Sequence, residues 1–219
     1  MRSAEPMPGN PWPHDMVITV DDDSQAVLDL LWVREAWELE PVGDDLPPRL
    51  AHGPARVSET VRADASADPV SWQQAWPGLW QATLAHAARP HDPCVFEALG
   101  RTDDGSPERR ELLGRLIGPR AREDFGEPAF ADPAYLEWTH ARFQEHMLRR
   151  PLNAEDQPER RSLDALIRAW RAGLEKVVAI PCVGTFTRML GPHTLLVTGE
   201  TRRDPARYAE ALAWFAESR

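Results

Sequence analysis

The 219-residue chain is poor in cysteine and almost without lysine: Cys94 and Cys182 are its only cysteines and Lys176 its only lysine. Two cysteines can pair only once, which is no secreted disulfide framework, so the expected compartment is cytoplasmic. No run of about 18 apolar residues is present to span a bilayer, and no membrane association is expected. Neither a Gly-rich phosphate loop, a Gly-x-Ser-x-Gly elbow nor a Cys-x-x-Cys pair occurs, so no cofactor is expected. The chain also lacks an internal repeat.

Positive charge is in short supply as well, with 25 bases against 35 acids and a net charge of -10. Residues 1–68 hold 14 acids and 5 bases, whereas residues 69–219 hold 21 and 20. That balance argues against nucleic-acid binding, which needs Lys and Arg to displace counterions from phosphates. An acidic N-terminal surface suits a basic protein partner instead. Residues 1–15 contain Pro6, Pro8, Pro11 and Pro13 but no apolar centre, so they read as a flexible extension and not a secretory signal. Met16 opens the first apolar run and can itself serve as the natural start; residues 16–219 are expected to form one domain.

What the chain has in quantity is punctuation. Asp68-Pro69, Asp92-Pro93, Ser106-Pro107, Asp132-Pro133 and Asp204-Pro205 each place a side-chain acceptor before a proline. The acceptor takes an orphan amide of a first helical turn, and proline at the first helical position gives up no hydrogen bond. Helices are therefore expected over 69–89, 93–99, 107–117, 133–149 and from 205 on. An earlier one, from a Ser24 cap to about Leu39, is apolar on more than one stripe and reads as central and buried. Pro77-Gly78 is expected to break or kink the third segment. In the helix from Pro133, the inward face is expected to be Leu136, Phe143 and Met147, with Tyr135 and Trp138 at its edge. Leu163, Leu166, Ile167, Trp170 and Leu174 follow helical spacing most closely and predict a core helix. Glu40 to Ala67, with four prolines and two glycines, reads as a long, mobile surface loop.

After Lys176 the apolar period shortens to that of strands. Val177–Ile180, Thr185–Leu190 and Thr194–Thr198 predict a mostly antiparallel C-terminal meander, which the short run Val17–Val20 can join. The expected fold class is α+β: a mainly helical single domain with a small sheet.

Candidate chemistry is sparse. Asp21 and Asp23, carboxylates at a strand end, can hold a metal for hydrolysis or group transfer. Their spacing is similar to the strand-Asp-x-Asp opening of haloacid-dehalogenase phosphatases, whose later Gly-Asp motifs this chain lacks. Asp21 to Ser24 read equally well as anions and a cap at a helix start. Cys94 lies in a first helical turn near His91, where a thiol can be activated, but Asp92 opposes that; Cys182 follows Pro181 at a strand end. His86 with His91 and His140 with His146 are five and six apart, so neither pair shows the i, i+4 spacing of a helical metal site. Arg202-Arg203, before a helix start, can meet a phosphate, yet Asp204 already occupies those amides and a surface pair is expected. Arg109-Arg110, Arg149-Arg150 and Arg160-Arg161 read as solvated faces. Trp72, Trp76 and Trp80, four apart, read as core or as the lining of a ligand pocket.

The leading expectation is thus a cytoplasmic, non-enzymatic binding or regulatory protein. The alternatives are a metal-dependent hydrolase or transferase using Asp21 and Asp23, and a small-ligand binder with a tryptophan-lined pocket.

Overall fold

The computed structural model describes residues 11–64, 67–90, 93–149, 151 and 153–219. In chain order the elements are β1 (Thr19–Asp21), α1 (Gln25–Ala36), α2 (Glu59–Arg62), α3 (Pro69–Ala87), α4 (Pro93–Leu99), α5 (Pro107–Ile117) and α6 (Ala121–Phe125), followed by α7 (Pro133–Arg149), α8 (Pro158–Arg161) and α9 (Leu163–Arg171). They end with β2 (Lys176–Ile180), β3 (Thr187–Met189), β4 (Thr194–Thr198), α10 (Gly199–Arg203) and α11 (Pro205–Glu217). The fold is α+β. Its contacts divide it into a helical unit, Ser24–Asp44 with Ala55–Tyr135, and a sheet unit, Met1–Asp23 with Asp45–Pro54 and Leu136–Arg219.

The proline signals mark real helix starts. Asp68 accepts from the Ser71 amide at 3.1 Å, Ser106 from Arg109 at 3.1 Å, and Asp132 from Ala134 at 2.9 Å. Asp204 accepts from both Ala206 and Arg207, at 3.0 and 3.1 Å. Asp92 and His91 lie outside the described residues. Ser24 occupies the N-cap of α1 without a side-chain hydrogen bond, and the helix stops at Ala36, short of Leu39. At the far end of α5, Gly118 takes a φ of 77°, and a Cβ there would stand 2.3 Å from the His86 ring. That ring sits 3.2 Å from the Leu116 carbonyl, so His86 closes the end of a neighbouring helix.

In the helical unit, α3 runs unbroken through Pro77, against the expected break. Interior proline costs about 3 kcal/mol, whereas each large apolar side chain buried contributes about 1.5–3 kcal/mol. Trp72, Trp76, Trp80 and Leu84 are all buried on that one helix and outweigh the cost. Trp76 and Trp80 stack with centroids 5.5 Å apart, and Trp37 meets Trp72 edge-on at 4.8 Å. The Trp76 and Trp37 indoles donate to the carbonyls of Leu30 and Ala129, each at 2.8 Å. These tryptophans fill a core.

The sheet unit corrects the expected meander. Strand order is β1-β2-β4-β3, with β1 and β4 both parallel to β2 and only β3 antiparallel, paired to β4. The sheet is mixed. Val177 to Ile180 are buried on both faces, so β2 needs a neighbour on each side, the situation of a parallel sheet interior. Thr187–Met189 hairpins onto the outer edge of β4 and leaves the other side of β2 to the first strand, which forms the opposite edge. On one face Ile18, Val177, Ala179, Leu195 and Val197 pack with Leu163, Leu166 and Leu174 and with Tyr208, Leu212 and Phe215 of α11. The expected core helix is present as α9, which ends at Arg171, short of Leu174; its Ile167 and Trp170 are only partly buried.

Two further expectations are overturned. Leu136, Phe143 and Met147 of α7 are exposed (70%, 57% and 51%), while Tyr135 and Trp138 are buried. The buried face is the one whose polar tips find partners: the Trp138 indole donates to the His52 carbonyl at 3.1 Å, and Tyr135 donates to Asp29 at 2.8 Å. The segment 40–67 is no plain surface loop either. Leu50 bridges to Cys182, the Ala51 amide donates to the Pro181 carbonyl at 2.9 Å, and the Val183 amide donates to that of Arg49 at 2.9 Å.

Candidate functional site

Three parallel strands of the sheet unit, β1, β2 and β4, all run toward the same end of the sheet. Beyond their carboxyl ends lies a cavity of about 670 Å³, bordered by Asp22, by Ala179 to Cys182 and by Gly199. This is where parallel sheets leave room, because the chain must depart from each strand there. The fastened segment Leu50–His52 closes one side. One face of α7 closes another, through Trp138, Arg142, Glu145, His146 and Arg149, and Asp156 to Glu159 with Arg161 complete the wall. The polarity of that α7 face follows from what it borders, a cavity and not a packed core.

The lining combines an apolar side, with Trp12, Ile18, Leu50, Ala179 and Pro181, and five arginines at positions 142, 149, 161, 202 and 203. Three of the five are spent internally. Arg202 grips Glu159 with two parallel hydrogen bonds of 2.8 and 3.0 Å and Asp22 with a third of 2.9 Å. Tyr208 donates to the same Glu159 at 3.2 Å. Burial alone would lower the Arg202 pKa, but the hydrogen bonds and charge of Glu159, with Asp22, raise it above the ordinary arginine value. Burial pushes the Tyr208 hydroxyl well above its ordinary value. Arg142 pairs with Asp23 at 2.7 Å and lies over the Trp138 ring, and Arg149 meets Glu145 at 2.5 Å. His52 stands 3.4 Å from that same Glu145. Arg161 and Arg203 make no ion pair among the described residues.

The sequence candidates are distributed unevenly over this site. Asp21 is turned to Lys176 at 3.5 Å and Asp23 to Arg142, so each carboxylate already faces a cation. Asp22, between them, is the one that borders the cavity. Among the described residues no group of three or more His, Cys, Asp or Glu is placed to hold a metal ion. Cys94 is exposed on α4 in the helical unit, and Cys182, buried, lines the cavity. Trp72, Trp76 and Trp80 do not line it, and its indoles are Trp12 and Trp138. Arg202 is not the expected solvated surface residue, since its side chain is only 17% exposed. Arg160 lies over the Trp12 ring, 5.1 Å from its centroid.

Sequence reasoning missed the role of α7. Its signal was present in the spacing of Trp138, Arg142, Glu145 and Arg149, which repeats at i, i+4, i+7 and i+11 and so marks one helical face. No family model matches the chain, and no curated protein or solved structure matches it.

Proposed function

We propose that this protein binds a small organic molecule in the cavity of the sheet unit. The observation that carries the reading is the cavity itself. At about 670 Å³ it falls within the range of about 300–1,000 Å³ that small-molecule sites occupy, and it pairs an apolar wall with a few polar groups. Trp12 and Trp138 contribute apolar lining, and the Gln157 side-chain oxygen, buried and without a hydrogen-bond partner among the described residues, offers an acceptor. The Arg202–Glu159–Asp22 clamp holds α10, α8 and the end of β1 together, which gives the cavity a preformed wall. A binding protein of the cytoplasm fits a chain with only two cysteines. The metal-dependent alternative is less well supported, because Asp21 and Asp23 each face a cation in place of an open site.

N-phenyl-1-naphthylamine, a neutral fluorophore with two aromatic rings, tests the reading. It is expected to bind with one-to-one saturation and a blue-shifted emission. Ala51→Phe, which projects a ring into the cavity from a partly exposed position, should weaken that binding by about tenfold or more, equivalent to about 1.4 kcal/mol. Absence of saturable binding, or equal binding by a folded Ala51→Phe variant, would refute the proposal.

A second reading, a basic protein partner, draws on the helical unit, which holds 18 acids against 10 bases. It concerns a different surface and does not compete with the cavity.

A further inference from the structure

The cavity's arginines differ in how much of their hydrogen-bonding capacity is already committed. Arg202 commits three of its five donors to Glu159 and Asp22. Arg203, the next residue, borders the same cavity, and its side chain makes no ion pair or hydrogen bond with any described residue, so none of them takes up its five guanidinium donors. Arg203 is an exposed residue, but its guanidinium is drawn back toward the end of the sheet. One guanidinium nitrogen lies 3.1 Å from where a Cβ on Gly199 would stand, so the head folds back over Gly199 at the end of β4. Arg149 of α7 borders the cavity within electrostatic reach of it. Partial desolvation, and after it the like charge of Arg149, draw the Arg203 pKa below the ordinary arginine value, against the opposing charges of Glu200 and Glu145. Glu145 is shared between Arg149 and His52, and Glu200 accepts from the Gly184 amide at 2.8 Å.

We infer that Arg203, backed by Arg149, forms an oxyanion subsite in this cavity, and that the bound molecule carries a phosphate or carboxylate group on an apolar body. This rests on the proposed binding function. An anionic group would relieve the repulsion between the two guanidiniums and take up the donors Arg203 leaves open, in the fork geometry that suits oxyanions. The apolar wall of Trp12, Trp138 and Ala179 would take the body.

Two probes that differ by one charged group separate this inference from the binding function. 8-Anilinonaphthalene-1-sulfonate has the ring system of N-phenyl-1-naphthylamine with a sulfonate added. It is expected to bind the wild-type protein more tightly than the neutral probe. Arg203→Gln should weaken the sulfonate about tenfold or more, as loss of a charge-assisted hydrogen bond does, and leave the neutral probe unchanged. The unchanged neutral probe also serves as the check that the cavity is still formed. Displacement of the sulfonate by phenyl phosphate in preference to benzoate would identify a phosphate group, and the reverse preference a carboxylate. If both probes bind but Arg203→Gln weakens neither, or weakens both equally, the subsite is refuted while the cavity stands. If neither competitor displaces the sulfonate, the subsite is likewise refuted.

Discussion

The two units of this protein solve the problem of burying aromatic residues in opposite ways. The helical unit holds Trp32, Trp37, Trp72, Trp76 and Trp80, all buried, against one another and against Phe130 and Tyr135. The sheet unit holds Trp12 and Trp138 at the wall of a cavity, with Trp170 and Trp214 only partly covered. Charge is divided in the same spirit. The helical unit has 18 acids and 10 bases, the sheet unit 17 and 15, so most of the net negative charge lies in the helical unit, although the acidic surplus of the first 68 residues is shared between the two. Asp21, Asp22, Asp23 and Asp45 lie in the sheet unit and face Lys176, Arg202, Arg142 and Arg188 from later in the chain. The comparison teaches that residues adjacent in sequence can serve different electrostatic ends once the fold assigns them to different units.

The largest effect that would break this comparison concerns the cores. Trp76→Ala should cost about 3–5 kcal/mol, because it removes a fully buried ring, its stacking on Trp80 and its hydrogen bond to Leu30. Leu166→Ala in the sheet unit should cost about 2–5 kcal/mol, and Trp170→Ala less than Leu166→Ala, since Trp170 is only partly buried. Urea unfolding followed separately by fluorescence and far-ultraviolet circular dichroism measures all three. Equal midpoints for wild type and Trp76→Ala would mean that the helical unit has no tight aromatic core.

A smaller effect sharpens the contrast through pH. Burial raises the Asp29 pKa, although hydrogen bonds from Tyr135 and Gln25 and the charge of Arg122 work to lower it. With the folded value above the unfolded one, the unfolded chain ionises more readily, so this group's favourable contribution is complete below its ordinary value of 3.8 and is lost as pH rises through the folded value. Asp132 behaves in the reverse sense. Its desolvation is more than offset by the Ser58 and Ala134 amides, each at 2.9 Å, which hold its pKa low. Its contribution is present above 3.8 and is lost as pH falls through the folded value. Asp29→Asn should therefore gain stability at pH 7 and Asp132→Asn lose it, both differences shrinking toward about pH 3.5. Unfolding midpoints at the two pH values decide it, and a loss at pH 7 for Asp29→Asn would show that its ionised form is favoured.

The smallest effect concerns the acidic surface of the helical unit. Asp44→Asn with Glu59→Gln should change stability by no more than about 0.5 kcal/mol, because both residues are exposed and neither carries an ion pair among the described residues. Their replacement should slow association with a basic protein and reduce its salt dependence. A rate that is indifferent to both salt and substitution would assign the acidity to solubility alone.

Much of the architecture was legible because its causes are local. An Asp or Ser before proline satisfies first-turn amides wherever it falls, which is why Asp68, Ser106, Asp132 and Asp204 mark true helix starts. The face of α7 was misread because Leu136, Phe143 and Met147 outweigh Tyr135 and Trp138 in hydrophobicity, and periodicity does not register that a buried indole or hydroxyl has found a partner. The twin arginine at 202–203 was noticed, but its division of labour depends on Glu159 and Asp22, residues 43 and 180 positions away.

The sequence by itself determined the α+β class, the helix starts, the C-terminal position of three strands, the alliance of the first strand with them, and the packing role of Trp72, Trp76 and Trp80. The alliance of the first strand follows from its bare edges, which need a partner, and the others from short-range hydrogen bonding or from hydrophobic periodicity within one element. Only the tertiary structure decided the parallel order of the sheet, the seating of residues 49–51 against 181–183, and the cavity where β1, β2 and β4 end. Those depend on which distant segments meet, and a cavity is defined by the side chains that surround it, which no single stretch of the chain contains.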